Sequence, residues 1–284
     1  MKSNRDRAEG WTHAKLSGHK NEDNIKELII NNEGIQKRIL DEAGHTGRGV
    51  SIADVEIGGI NEMTIPSILG DSTKNKSDIK VILSDGGSIN ISIKKSLAGQ
   101  VYLITPERFI EGFSKIYNTE IPAAVKRAIE LFWGTAADVP QILRSCNTGK
   151  DSIDAYQLRK HRLVKSSMDK YDNTLSSSLL EWVKSNIENI FDFCFARGLA
   201  KDPENSADLI WYINTLGEHD VDCIMNIKRV KSRIAADVLY GNRSGGTTIQ
   251  LPFGFVQWHD PSHKCPCMQF HHDYEKISAL MKQN

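Results

Sequence analysis

Little in this sequence leans one way. Its 36 Lys plus Arg are matched by 36 Asp plus Glu, so no bulk positive charge draws in a polyanion, and an anionic ligand must be met by local clusters. Long apolar runs are missing as well. The opening "MKSNRDRAEGWTHAK" is charged and polar, with no stretch suited to a signal peptide or membrane span, and a cytoplasmic location is expected. Cysteine is scarce: Cys146, Cys194, Cys223, Cys265 and Cys267 make an odd number at irregular spacing, which argues against a disulfide framework and suits a reducing compartment. None lies in a recognisable nucleophile motif, and there is no phosphate-binding loop, dinucleotide fingerprint or internal repeat. What is present is 284 residues with 39% hydrophobic content, enough for a sizeable core.

Periodicity gives the first elements. Ile25, Leu28 and Ile29 fall at helical spacing and predict a helix over Asn24 to Ile39, with Asn21 as cap and Glu22 in its first turn. The Gly-rich "AGHTGRGVSIADVEIGGINE" shows no clear period. Ile79 to Leu83 and Ile89 to Ile93 alternate strictly around "SDGGS" and read as a hairpin, with Val101 to Ile104 as a third, buried strand. Helices follow in "ERFIEGFSKIY" and from Pro122 to Gly134. Leu175 to Arg197 is the longest amphipathic run, Gly198 is its stop, and further helices are expected near Ala207 to Asn214 and Cys223 to Val238. From Thr247 the pattern returns to strands, then to a short C-terminal helix. The expected fold is α/β (α+β): one domain with a mixed central sheet flanked by helices and a helical insertion at about 140–240, engaged in DNA binding or dimerisation.

The hairpin carries the chemistry. If Asp85, Gly86 and Gly87 form a three-residue loop, Ile79 faces Ile93, Val81 faces Ile91 and Leu83 faces Ile89 on one apolar face. Asp78 then lies opposite Lys94, about 5.5 Å away between Cα atoms. Spacing alone better suits an ordinary hairpin with a surface Asp–Lys pair worth at most about 1 kcal/mol. An acid beside a lysine on adjacent strands is, however, what a metal-dependent phosphodiesterase needs. The carboxylate holds a hard cation, and the lysine positions water or stabilises phosphorus charge.

Two segments, "GWTHAKLSGHKNE" at Gly10 to Glu22 and "SDIKVILSDGGSINISIKKSLAGQVYLI" at Ser77 to Ile104, resemble the PD-(D/E)xK nuclease superfamily, in particular type II restriction endonucleases. Together they cover under a fifth of the chain. The resemblance implies Asp78 as the metal-binding acid, Lys94 as the water-positioning lysine, the Ile93 carbonyl as a further metal ligand, and Gln100 as the glutamine that follows the lysine. Ser77 replaces the motif's proline, and Ser92 replaces its second acid. Glu22, matching the first-helix glutamate of many members, is the acid expected to make up the missing charge. Activity, Mg²⁺, double-stranded DNA as partner and a homodimer are likewise what the resemblance implies, with a non-specific repair or defence nuclease of the same superfamily as the near alternative.

Other clusters could serve DNA. Arg243 lies in the hydroxyl-rich "GNRSGGTTIQ", Lys95 follows the catalytic lysine, and Arg159, Lys160 and Arg162 head "RKHRLVKSS"; "KRVKSR" at Lys228 to Arg233 is the other basic cluster. Near the C-terminus, His259, His263, Cys265 and Cys267 are of zinc-binding type, although Cys265-Pro-Cys267 is a tighter bite than usual and a metal-free rim rich in His and Cys explains it better. The rival from another class is a non-catalytic DNA-binding protein with structural zinc.

Overall fold

Asn32 divides the helix expected over Asn24 to Ile39. A computed structural model describes residues 24–57, 64–146, 162–214, 220–260 and 265–282. In it residues 24–31 are helical, and a second helix, Glu33–Glu42, starts after Asn32, whose extended backbone lets its side chain accept from Ile35 N at 3.1 Å. Gln36 Nε2 donates back to the carbonyls of Ile29 and Ile30, satisfying groups that the break released. Ile25, Ile29, Ile35 and Ile39 still share one buried face. The expected cap Asn21 lies outside the described residues.

That face covers a five-stranded mixed sheet ordered β1 (Ile52–Ile57), β4 (Ile79–Leu83), β5 (Ser88–Lys94), β7 (Leu209–Asn214) and β8 (Val221–Asn226). All neighbours are antiparallel except β5 and β7, which run parallel. Residues 209–226, expected to be largely helical, thus supply two strands, and within the helix expected near Cys223 to Val238 it is Ile227–Lys231 that is helical. The reason is burial on both sides. Leu209 and Trp211 pack towards the N-terminal helices while Ile210 and Tyr212 enter the main core, so "LIWYIN" reads as an unbroken apolar run without strand alternation.

A second five-stranded sheet is antiparallel and ordered β6 (Ala98–Ile104), β12 (Cys267–Asp273), β11 (Gly254–His259), β10 (Thr248–Leu251) and β9 (Leu239–Tyr240). β6 is the expected third strand, but it belongs here rather than beside the hairpin. A small ladder joins β2 (Thr64–Pro66) to β3 (Ser72–Lys74). β11 and β12 approach closely at Gly254, where a Cβ would lie 1.9 Å from the His271 carbonyl oxygen, so only glycine fits.

The main core fills the space between the sheets and the helices Pro106–Tyr117, Ala123–Trp133 and Lys165–Ser185. The first two match expectation. Thr105 caps Pro106–Tyr117 through Arg108 N, and Gly134 in the left-handed region ends Ala123–Trp133. The long amphipathic run is broken into Lys165–Ser185, Ile187–Asp192 and a π-turn Phe193–Arg197, with Gly198 at φ 57° closing it as expected. Among the described residues no helix is long and apolar enough to cross a membrane.

Candidate functional site

The hairpin register is two residues from the one expected. Ile79 faces Ile91, Val81 faces Ile89, and the loop is Ser84-Asp85-Gly86, closed by Leu83 N to Gly87 O at 2.9 Å. Gly86 takes φ 86°, the left-handed third position that such a loop needs, and Asp85 Oδ1 accepts from Gly87 N. A shift of two preserves which residues share a face. It moves Asp78 from opposite Lys94 to opposite Ser92.

Asp78 is anchored through its backbone N–H to Ile91 O at 2.9 Å. Its Oδ2 accepts from Ile93 N at 2.6 Å and from Ser92 Oγ at 3.4 Å, whereas Oδ1 takes no hydrogen bond from any described residue. Lys94 Nζ donates to Ser92 Oγ at 2.6 Å and to the Ile93 carbonyl at 3.4 Å. The buried Ser92 hydroxyl therefore stands between the two charges, which do not pair directly. Burial lowers the Lys94 pKa, with Asp78 pulling it back up.

The polar face of the hairpin is not solvated along its length. Asn90 is buried and donates to the carbonyls of Glu204 and Ser206. At the Asp78 end the face opens into a cleft of about 620 Å³ between the two sheets. Asp78, Ser92, Ile93, Lys94 and Gln100 all line it, so five of the residues singled out in the sequence meet in one place.

The cleft also holds residues that no sequence pattern announced. Lys76 Nζ donates to Val101 O at 3.1 Å and sits 3.6 Å from the centroid of the Tyr102 ring. Burial lowers its pKa to about 7, and the Lys94 charge adds to the shift. Arg108, from the helix after β6, stands at the rim paired with Asp71. Near Lys94, the buried His272 is 3.0 Å from the Tyr212 hydroxyl through Nδ1, and burial together with Lys94 lowers its pKa to about 4, leaving a neutral imidazole.

The remaining expected residues scatter. Glu22, Arg159, Lys160 and His263 lie outside the described residues. Arg162 is committed to the fold: it donates to Phe132 O and Thr247 O and stacks on Phe132 and Trp258. Lys95 is half-buried in the link between the sheets, and Arg243 is exposed beside Ser244, a non-glycine residue at φ 49°. In the Lys228 to Arg233 cluster, Arg229 pairs with Glu42 and Arg233 donates to Met281 O. His259 faces Cys267 across β11 and β12, and Cys267 donates to the Cys265 carbonyl. Among the described residues no group of three or more His, Cys, Asp or Glu could hold a metal ion.

No protein-family model matches the chain, and no curated protein matches it. Among solved structures, the chain is similar to the restriction endonuclease MspI in complex with its cognate DNA, at a TM-score of 0.47 and 15% identity, over 85% of this chain and 80% of that one.

Proposed function

We propose that the protein is a Mg²⁺-dependent endonuclease that hydrolyses double-stranded DNA at specific sequences, in the manner of type II restriction enzymes. The observation that carries this reading is the convergence of the Asp78 carboxylate, the Ile93 carbonyl and the half-buried Lys94 amino group around Ser92 on one wall of an open cleft. The donor set consists of oxygens only, with Asp78 Oδ1 unengaged by the described residues, and it fits a hard cation that keeps several waters and needs few protein ligands. Asp78 and the Ile93 carbonyl would hold Mg²⁺, with Glu22 as the proposed second acid. When bound, the ion supplies Lewis-acid stabilisation of the charge that develops on the phosphate and the departing 3′ oxygen.

The chain's own residues do the rest. Ser92 Oγ fixes Lys94 Nζ, and burial lowers its pKa; in its unprotonated form the nitrogen can take the proton that the attacking water sheds. The water oxygen bonds to phosphorus, the bond to the 3′ oxygen breaks, and a 5′ phosphate remains. Arg108 and, below about pH 7, Lys76 add positive potential to the same cleft. Cutting both strands of a palindrome calls for two such sites related by a two-fold axis, so a homodimer belongs to the proposal.

The test is digestion of unmethylated phage DNA by the protein and by its Asp78→Ala and Lys94→Ala variants, in Mg²⁺ or EDTA. Discrete fragments only from the unsubstituted protein with Mg²⁺ are expected. A smear would point to a non-specific nuclease, and binding without cleavage to a DNA-binding protein whose serine at position 92 marks a lost catalytic acid.

A further inference from the structure

The second sheet has two unlike faces. Ile249, Leu251, Val256, Met268 and Phe270 point into the core. The alternate residues Gln250, Phe255, Gln257, Gln269 and His271 are only half-buried and form the outer face. On it the amides are tied across three strands. Gln257 Nε2 donates to Gln269 Oε1 at 2.8 Å, and Gln269 Nε2 donates to Gln100 Oε1 at 2.7 Å. Gln257 Nε2 also lies 3.3 Å from His271 Nε2, and that imidazole stacks on Phe255 at 4.4 Å between ring centres. The ladder runs into the cleft, because Gln100 belongs to both.

We propose that this outer face is the surface with which the protein reads base edges of double-stranded DNA, Gln257 and Gln269 being its specificity-determining residues. The inference rests on the nuclease reading of the cleft. Three observations support it. The first is the division of charge: the basic side chains Lys74, Lys76, Lys94 and Arg108 stand in the cleft, where the backbone phosphate has to lie, while the named residues of the outer face carry no fixed charge. Phosphate contacts position and want cations, whereas base contacts specify and are made by neutral donors and acceptors. Burial lowers the His271 pKa, which keeps that face neutral near pH 7.

The second observation is valence. The internal bonds leave both N–H groups of Gln100 and the Oε1 of Gln257 without a partner among the described residues. The free donor and the free acceptor stand at opposite ends of one ladder, two strand spacings apart, so each can meet a different base edge in the major groove, which is wide enough for a pair of strands. The third is order: side chains already held by their neighbours lose little rotamer freedom on binding.

The experiment selects duplexes from a random pool by binding alone, in EDTA, with the Asp78→Ala protein and with the same protein carrying Gln257→Ala, Gln269→Ala or Gln257→Met. The last keeps side-chain length and removes the hydrogen bonds. Urea midpoints of all four identify any variant that fails to fold. The parent is expected to enrich one sequence, and each glutamine substitution to lower preference for it over random DNA by about 10-fold or more, with the salt dependence of binding unchanged. Enrichment of the same sequence to the same degree by folded variants, or of no sequence by the parent, would overturn the inference. If enrichment depends on the glutamines yet the protein with Asp78 intact cuts nothing in Mg²⁺, the nuclease reading fails and this one stands.

Discussion

Replacing Lys76 by Met should change how stability depends on pH. Lys76 Nζ is buried against the Tyr102 ring with the Val101 carbonyl as its hydrogen-bond acceptor, and burial brings its pKa to about 7. In the unfolded chain a lysine titrates near 10.4, about three units higher. Between these values the unfolded state binds the proton that the folded state has shed, so stability rises with pH across this window, by up to about 1.4 kcal/mol per unit. From pH 7 to pH 9 the gain is about 2 kcal/mol. Methionine keeps the length of the side chain and has no proton to lose. Urea unfolding of both proteins in EDTA at pH 7, 8 and 9 should therefore show the advantage of Lys76→Met over the parent falling by about 2 kcal/mol across the series. Effects common to both chains, such as titration of buried cysteine and tyrosine, cancel in the difference. Parallel profiles would mean that Lys76 keeps its charge in the fold, and the account of its burial would be wrong.

Asp78→Asn retains an acceptor for Ile93 N while removing the charge, so Mg²⁺-dependent cleavage should vanish while DNA binding in EDTA persists, as gel mobility would show. Lys94→Met should lower the single-turnover cleavage rate by about 10²–10⁴-fold if the amine acts on the attacking water, with substrate affinity little changed. Asn32→Ala removes the cap that starts the helix Glu33–Glu42 and should cost about 1 kcal/mol in urea unfolding. Gly254→Ala forces a methyl group against the His271 carbonyl; a loss of about 1–3 kcal/mol and faster amide exchange in β11 and β12 are expected.

Which residues face which way was legible in the sequence; which strands they sit beside was not. Alternation in "IKVIL" and "INISI" set the two faces of the hairpin, and because the actual register is displaced by two, Asp78, Ser92 and Lys94 still share a face. The displacement came from the turn, where the left-handed position falls at Gly86 rather than Gly87. β7 carries no strand signal in the sequence because burial on both sides erases the period of two. β6 was recognised as a strand, yet nothing in its residues says that the chain has crossed to another sheet. Lys76 gave no signal at all: a lysine near an acid on a polar stretch reads as solvated, and only the arrival of Tyr102 from β6 buries it.

The crossing from β5 to β6 takes only the few residues after Lys94, and it divides labour along the chain. Upstream of it lie Asp78, Ser92 and Lys94; downstream lie Gln100 and, much later, Gln257 and Gln269. On the two readings proposed above, the groups for hydrolysis and for base reading ride on separate sheets joined at one edge of a common cleft. Changes on the outer sheet could retarget the protein while leaving the hydrolytic wall untouched, a separation that makes altered recognition a short mutational step.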